Sequence, residues 1–228
     1  AELQRFYYAI GIPMFQGYGL SEATPVISTN SPKHHWHRFG SSGKILIPLD
    51  LKILDEEGNE VPRGTKGEIV IRGENVMAGY WKNPEATAET VRDGWLHTGD
   101  MGTMDPDGTL YIRGRSKTMI LSGSGQNIYP EEIEDKLNNM YLVLESLILD
   151  SGNGKLKAMV VPDYEQAEAE GVDKNDLPQI MQNNLTELNS LLAAYERVSE
   201  IIIYPTEFEK TPKRSIKRYL YSPSLLNK

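Results

Sequence analysis

The sequence predicts α/β and α+β architecture: a β-rich, barrel-like subdomain followed by a small α+β C-terminal domain. Three observations carry that expectation. A helix-period apolar run opens the chain, short β-branched runs separated by glycine turns fill its middle, and a second set of helix and strand patterns follows a basic string near Gly114–Thr118. The division expected is residues 1–116 and residues 117–228, the second of ordinary small-domain size. A length of 228 residues with 39% hydrophobic side chains suits one large or two small globular domains with a sizeable core.

Taken in order, Leu3, Phe6, Tyr7 and Ile10 fall at helical spacing, and Gly11 ends the run as a C-cap. Ile12–Phe15 reads as a short buried strand running into Gly17-Tyr18-Gly19, the kind of strand end where open α/β sheets place ligands. Strand-like runs then follow at Leu51–Leu54, Glu68–Arg72 and Thr109–Ile112, separated by turn signals at Glu57-Gly58-Asn59, Arg63-Gly64 and Asp107-Gly108. This spacing suggests an antiparallel or barrel-like unit. Tyr129-Pro130-Glu131-Glu132 opens a helix, with proline at its first position and two acids where they suit the helix dipole. Strands are expected at Leu144–Leu149 and Lys157–Val161. A helix is expected over Asp176–Tyr195, with Leu177, Ile180, Met181, Leu185, Leu188, Leu191 and Leu192 on one stripe. Ile201–Tyr204 is the last strand before a basic tail.

Composition narrows the function. With 24 Lys+Arg against 32 Asp+Glu, the net charge is −8, which argues against a nucleic-acid footprint. The absence of cysteine removes disulfide scaffolds, thiolate metal sites and cysteine nucleophiles together. The longest apolar stretch, around Ile45–Leu54, is cut by Pro48, Asp50 and Lys52 and is too short to span a bilayer. Ala1–Ile10 carries Glu2 and Arg5 and does not read as a signal peptide. A cytoplasmic protein with no transmembrane segment is expected, and peripheral membrane contact stays open. The chain starts without Met in what reads as mid-helix, so it is expected to be a piece of something longer.

Five strings can carry chemistry, and each has a plain structural alternative. Gly17-Tyr18-Gly19-Leu20-Ser21-Glu22 offers close backbone approach, a stacking ring, a hydroxyl for phosphate and a carboxylate for Mg²⁺; otherwise it is a strand-to-loop turn. Asp100 in Trp95–Asp100 is either a turn residue or a bidentate acceptor for two ribose hydroxyls. Gly114-Arg115-Ser116-Lys117 and the loop Ser122–Pro130 combine two cations with free N–H groups, or form a linker; no Gly-Lys-Ser/Thr makes the loop a P-loop. His34, His35 and His37 could chelate a metal or lie on an exposed loop. Thr211–Arg218 is a solvated basic tail, or delivers a cation to an anionic substrate.

Together and in this order, these strings resemble the adenylate-forming superfamily of acyl-CoA synthetases, adenylation domains and luciferases. Gly17–Glu22 is similar to its Tyr-Gly-x-Thr-Glu string, and Gly67-Glu68-Ile69 through Val76–Thr87 to its β-subdomain signature. Trp95–Asp100 is similar to its Thr-Gly-Asp string, and Gly114–Glu134 to its hinge and following loop. Glu187–Arg197 and Glu207–Pro212 look closest to long-chain fatty acid–CoA ligases. The resemblance implies ATP, Mg²⁺ and CoA as cofactors and co-substrates and a fatty acid, with a long chain favoured, as acyl donor. The acid would form acyl-AMP and pyrophosphate, and CoA thiol would then displace AMP. It implies that Tyr18 lies against adenine, Gly19 belongs to the cofactor-binding set, Ser21 contacts the α-phosphate, Glu22 binds Mg²⁺ and Asp100 holds the ribose hydroxyls. It further implies that Arg115 approaches ribose and phosphates, and that Lys117 is the hinge of a C-terminal lid.

Three departures from the family pattern stand out. The family's Gly/Ser/Thr-rich phosphate loop, which precedes the Tyr-Gly string, is absent, so the chain resembles a C-terminal half whose isolated form is expected to be inactive. Thr118 follows Lys117 where the family commonly has Asp. Ser215 stands where the lid lysine is expected, with Lys213 and Lys217 two residues to either side; Lys217 is favoured and Lys213 is next. Two further readings remain: adenylation with transfer to a carrier protein, and a non-catalytic binding paralogue of the same fold.

Overall fold

Gly11 ends the first helix as the sequence leads one to expect. In the computed structural model, which describes residues 2–32, 38–46, 48–152, 155–212 and 214–221, helix α1 spans Glu2–Ala9. The Ile12 amide then reaches back to the Tyr7 carbonyl and the Gly11 amide to that of Tyr8, with Gly11 at φ +83°. That paired closure is the Schellman arrangement, in which glycine takes the left-handed position without a Cβ penalty. The apolar stripe of α1 is not covered: Leu3, Phe6 and Ile10 are each more than half exposed. The expected strand at Ile12–Phe15 is not formed, and Ile12, Met14 and Phe15 are exposed too. A strand buried on both faces needs sheet neighbours, and none of the described residues supplies them.

The chain divides into two units, Ala1–Lys117 and Thr118–Lys228. In the first, strands β1 (Gly17–Tyr18), β2 (Ser28–Thr29), β3 (Gly43–Ile45), β4 (Asp50–Leu54), β5 (Gly67–Arg72), β6 (Val91–Arg92), β7 (Trp95–Met104) and β8 (Thr109–Arg115) make one antiparallel sheet. Its order is β1-β2-β3-β8-β7-β5-β4, with β6 beside β7. The sheet is open: among the described residues β1 and β4 do not pair, so the barrel-like expectation reduces to an open antiparallel layer. Helix α2 (Pro84–Thr90) starts at Asn83, whose side chain accepts the Ala86 amide at 3.1 Å, an N-cap with proline at N1. Ile27, Ile53, Ile69, Ile71, Leu96 and Leu110 form the core of this unit.

The second unit begins with a short hairpin, β9 (Ile120–Leu121) and β10 (Asn127–Ile128), followed by α3 (Pro130–Leu137). Strands β11 (Val143–Asp150) and β12 (Leu156–Pro162) pair antiparallel, and β13 (Val198–Ile203) joins β12 in parallel after α4 (Tyr164–Ala169) and α5 (Leu177–Ser190). Strand alternation splits this sheet into two faces. Ile148, Ala158 and Val160 pack with Ile133 and Leu137 from α3 and with Met181, Leu185 and Leu188 from α5. Leu147, Met159 and Val161 point the other way, onto Phe208 and Tyr221. Helix α5 is shorter than the periodicity suggests, and Leu191 lies past its end, 59% exposed, instead of on the buried stripe.

The segment leading into the basic tail is anchored to the sheet, and within the tail Ile216 and Arg218 are held too, while Pro212, Arg214 and Ser215 are exposed. The Phe208 amide donates to Glu145 Oε1 and Lys210 Nζ to Glu145 Oε2, both at 2.7 Å. Arg218 pairs with the buried Glu134, whose other oxygen accepts the Ile148 amide at 2.7 Å. Tyr204, Phe208 and Tyr221 pack ring on ring above the sheet.

Candidate functional site

Glycine at position 19 is dictated by a close backbone approach: a Cβ there would stand 1.7 Å from the Pro25 carbonyl oxygen. The chain folds back so that the Ile27 amide donates to the Tyr18 carbonyl at 2.8 Å, and Ser21–Ala23 forms a 3₁₀ turn ended by Thr24 in the left-handed region. A remote segment supports this turn. Thr24 Oγ1 donates to the Asn75 carbonyl, Asn75 Nδ2 to the Ala23 carbonyl, and the Met77 amide to the Glu22 carbonyl. Tyr80 then places its hydroxyl 3.0 Å from Glu22 Oε1, so two of the strings singled out above meet in space. Ser21 opens the turn and is exposed.

Asp100 is aimed by a bulge. Pairing of β5 with β7 passes from Val70 opposite His97 to Glu68 opposite Met101, so Ile69 alone faces Thr98, Gly99 and Asp100. Gly99 takes φ +67°, as such a bulge requires. Thr98 Oγ1 donates to the Ile69 carbonyl at 2.7 Å and accepts the Asp100 amide at 3.1 Å. The Gly99 amide donates to Glu68 Oε1 at 3.1 Å, and Glu68 Oε2 lies 2.9 Å from His97 Nδ1.

On the other side of β7, Asp100 sits opposite Arg115 of β8, and Arg115 Nε lies 2.7 Å from Asp100 Oδ1. The Tyr18 hydroxyl donates to Asp100 Oδ2 at 2.5 Å from 82 residues away. Asp100 is 4% exposed. Burial holds its carboxyl above the usual carboxylate range, opposed by the Tyr18 hydrogen bond and the Arg115 charge. Burial, and then the neighbouring Asp100 charge, push the Tyr18 phenol far above its ordinary value, which keeps it a proton donor. A carboxylate has about four lone-pair sites. Tyr18 donates to Oδ2 and Arg115 lies against Oδ1, so each oxygen has a second lone pair beyond these contacts.

Ser116 and Lys117 lie in a 3₁₀ turn after β8, with Ser116 Oγ donating to the Gly99 carbonyl at 3.2 Å and Lys117 exposed. In the second unit, Thr118 Oγ1 donates to Glu131 Oε1 at 2.6 Å. The loop Ser122–Gln126 is closed on itself: the Ser122 amide reaches the Gln126 carbonyl and the Gln126 amide reaches Ser122 Oγ, each at 2.8 Å. Lys217 lies on a small hairpin in which Lys210 pairs with Ile216 and the Thr211 amide donates to the Ser215 carbonyl. Ile216 packs toward the sheet, so Ser215 and Lys217 face away from it. Lys217 Nζ stands 3.1 Å from Glu209 Oε2, and this contact raises its pKa. Lys213 and the string His34, His35 and His37 lie outside the described residues. Among the described residues no helix is long and apolar enough to cross a membrane.

Sequence reasoning missed the supporting shell: Glu68 and His97 around the bulge, Tyr80 beside Glu22, and Glu134 and Glu145 holding the tail. The signal that could have found part of it was a charged residue in each of two otherwise apolar strand runs, Glu68 before Ile69-Val70-Ile71 and Glu145 within Val143–Leu149.

Residues 1–81 match the model of the AMP-binding enzyme family and residues 117–222 that of the AMP-binding enzyme C-terminal domain. The chain is 40% identical over 200 residues to a feruloyl-CoA synthase of Amycolatopsis sp., covering 86% of this chain and 38% of that protein. It is 38% identical over 210 residues to a long-chain-fatty-acid–CoA ligase of Yersinia pestis, covering 91% of this chain and 35% of that one. Among solved structures, the O-succinylbenzoate coenzyme A synthetase of Bacillus subtilis in complex with ATP and magnesium ion superposes with a TM-score of 0.78 at 29% identity, over 96% of this chain and 43% of that chain. The chain thus spans well under half the length of these relatives.

Proposed function

The chain belongs to the AMP-binding enzyme family, and on that premise we propose that the protein carrying it is an ATP-dependent, AMP-forming acid–thiol ligase acting on a long-chain fatty acid. The observation that carries the reading is the buried Asp100 held between Tyr18 and Arg115 with acceptor capacity to spare. Two vicinal hydroxyls of a ribose match that spare capacity. The ring of Tyr18 would then lie against adenine while its hydroxyl keeps Asp100 oriented. Gly19 lets the backbone approach, Ser21 donates to the α-phosphate, and Arg115 reaches ribose and phosphates.

In the first half-reaction a carboxylate oxygen of the acid attacks the α-phosphorus and pyrophosphate leaves. In the second, the CoA sulfur attacks the acyl carbonyl and AMP leaves. Positioning and charge neutralisation supply most of the rate in such steps. Among the described residues no three His, Asp or Glu side chains gather into a cage for a metal. A single carboxylate, Glu22 oriented by Tyr80, fits Mg²⁺, which keeps most of its waters and takes phosphate oxygens as further ligands. Held by Glu22, the ion would neutralise phosphate charge.

Lys217, with Lys213 as the alternative, would supply the lid cation, and Lys117 would be the pivot on which the lid reorients between half-reactions. The resemblance of Glu187–Arg197 and the Yersinia pestis relative support the long-chain acid; the feruloyl relative is the competing acyl class. Exposed Ser215 at the expected lysine position, together with the Lys217–Glu209 pair, favours as second reading a paralogue that binds nucleotide without catalysis.

The test is ATP–pyrophosphate exchange in the parent protein with long-chain fatty acids, ferulate and succinylbenzoate in parallel. Highest kcat/KM is expected with a long-chain acid, and Asp100→Asn should lower kcat/KM for ATP by about tenfold or more, the worth of hydrogen bonds to a charged group. No exchange with any acid, but retained ATP binding, would favour the non-catalytic paralogue.

A further inference from the structure

We infer that Glu68, braced by His97, is a positioning residue that sets the grip of Asp100 on the ribose and so the protein's preference for a nucleotide bearing a 2′-hydroxyl. The inference rests on the ribose reading of Asp100. It starts from the bulge. Three residues of β7 are accommodated opposite one of β5, so the ladder cannot satisfy every amide there. The Asp100 amide is taken by Thr98 Oγ1. The Gly99 amide has Glu68 Oε1 as its acceptor.

A carboxylate is costly at the edge of a β5 run whose next three residues, Ile69, Val70 and Ile71, are fully buried. Gln or Ser would accept an amide without a charge. The second oxygen is used as well: Glu68 Oε2 lies 2.9 Å from His97 Nδ1, and the two side chains are 27% and 20% exposed, partly open and not core filling. One carboxylate thus ties two points of the string that ends in Asp100, the His97 ring and the Gly99 amide, to strand β5. Asp100 is the next residue after the tethered amide, and its carboxylate must meet Tyr18 and Arg115 at once. A displacement on the order of 1 Å at such a centre is worth about a hundredfold in rate.

The discriminating measurement is the ratio of kcat/KM for ATP to that for 2′-deoxy-ATP in the adenylation half-reaction of the parent protein. Asp100→Asn serves as reference and is expected to reduce the ratio about tenfold or more. Glu68→Ala should reduce the ratio most of the way to the Asp100→Asn value. Glu68→Gln, which keeps an acceptor for the Gly99 amide, should restore much of it. His97→Phe, which leaves Glu68 in place without its brace, should fall between wild type and Glu68→Ala, and gives the answer should Glu68→Ala fold poorly. A ratio that stays at the wild-type value in Glu68→Ala and His97→Phe while both nucleotides slow equally would make the pair merely structural and overturn the inference, leaving the ribose reading intact. An unchanged ratio in Asp100→Asn would remove the ribose reading itself and the inference with it.

Discussion

Removing one oxygen atom from Tyr18 should reveal how the buried carboxylate is stabilised. In Tyr18→Phe the ring and its packing persist, while Asp100 Oδ2 loses a donor at 2.5 Å in a site where Asp100 is 4% exposed. A hydrogen bond to a charged group is worth about 1.5–3 kcal/mol. Burial already holds the Asp100 carboxyl high, and the Tyr18 bond is among the influences that lower it, so the substitution raises it further. A carboxyl whose folded pKa exceeds its unfolded value contributes stability that is complete below the unfolded pKa, about 3.9, and lost as pH climbs through the folded one. The penalty of Tyr18→Phe should therefore be full at neutral pH and shrink on acidification, where a protonated Asp100 forms only an ordinary neutral hydrogen bond of about 1 kcal/mol. All three tryptophans, Trp36, Trp81 and Trp95, precede Lys117, so their fluorescence in urea reports on the first unit alone. A double-mutant cycle of Tyr18→Phe with Asp100→Ala should give a coupling of about 1.5–3 kcal/mol at neutral pH and about 1 kcal/mol near the unfolded carboxylate pKa. A coupling below about 0.5 kcal/mol at neutral pH, or one that grows in acid, would refute the reasoning.

In the parent protein, Glu22→Gln should lower adenylation and move its Mg²⁺ titration to higher concentration, since a neutral amide is a poor ligand for a hard cation; an unchanged titration takes Glu22 out of the site. Lys217→Ala should cost about 3 kcal/mol in adenylation and spare transfer from preformed acyl-AMP, whereas Lys117→Pro should do the reverse by fixing φ at the pivot. Equal losses in both half-reactions for Lys217→Ala would assign that residue to folding of the tail. Gly19→Ala should destabilise the first unit by about 1–3 kcal/mol, because the new Cβ meets a backbone carbonyl that cannot rotate away; wild-type urea midpoints would contradict that close approach.

Local signals made much of the fold legible. Gly11 stops α1, Gly58, Gly64 and Gly108 turn at positive φ between strands, and Pro130 begins α3, each for a reason contained in one residue's backbone. What was not legible depends on partners. Ile12–Phe15 has the composition of a buried strand but no neighbours among the described residues, and Leu191 follows the stripe of α5 past the point where the helix ends. At the candidate site, Tyr18, Asp100 and Arg115 each stood out as residues, yet nothing in their spacing showed that they touch. That contact depends on a bulge that slips the β5–β7 register, and a bulge leaves no mark on composition beyond Gly99. Glu68 and Glu145 were hidden for the opposite reason: a lone acid in an apolar strand looks like surface until its hydrogen-bond partners are known.

The tail also acts as a strap whose hold depends on distant parts of the chain. Its anchors reach back 63 residues, from Phe208 to Glu145, and 84 residues, from Arg218 to Glu134. Both acceptors belong to other elements, Glu134 to α3 and Glu145 to β11, so the docking of the strap depends on those two elements being in place. The entropic cost of closing such long loops grows only logarithmically with their length, and local opening draws on segments that few buried contacts hold. The hairpin carrying Ser215 and Lys217 is thereby mounted on a remotely anchored segment, and lifting that segment would bare Leu147, Met159 and Val161 together as one apolar face of the sheet.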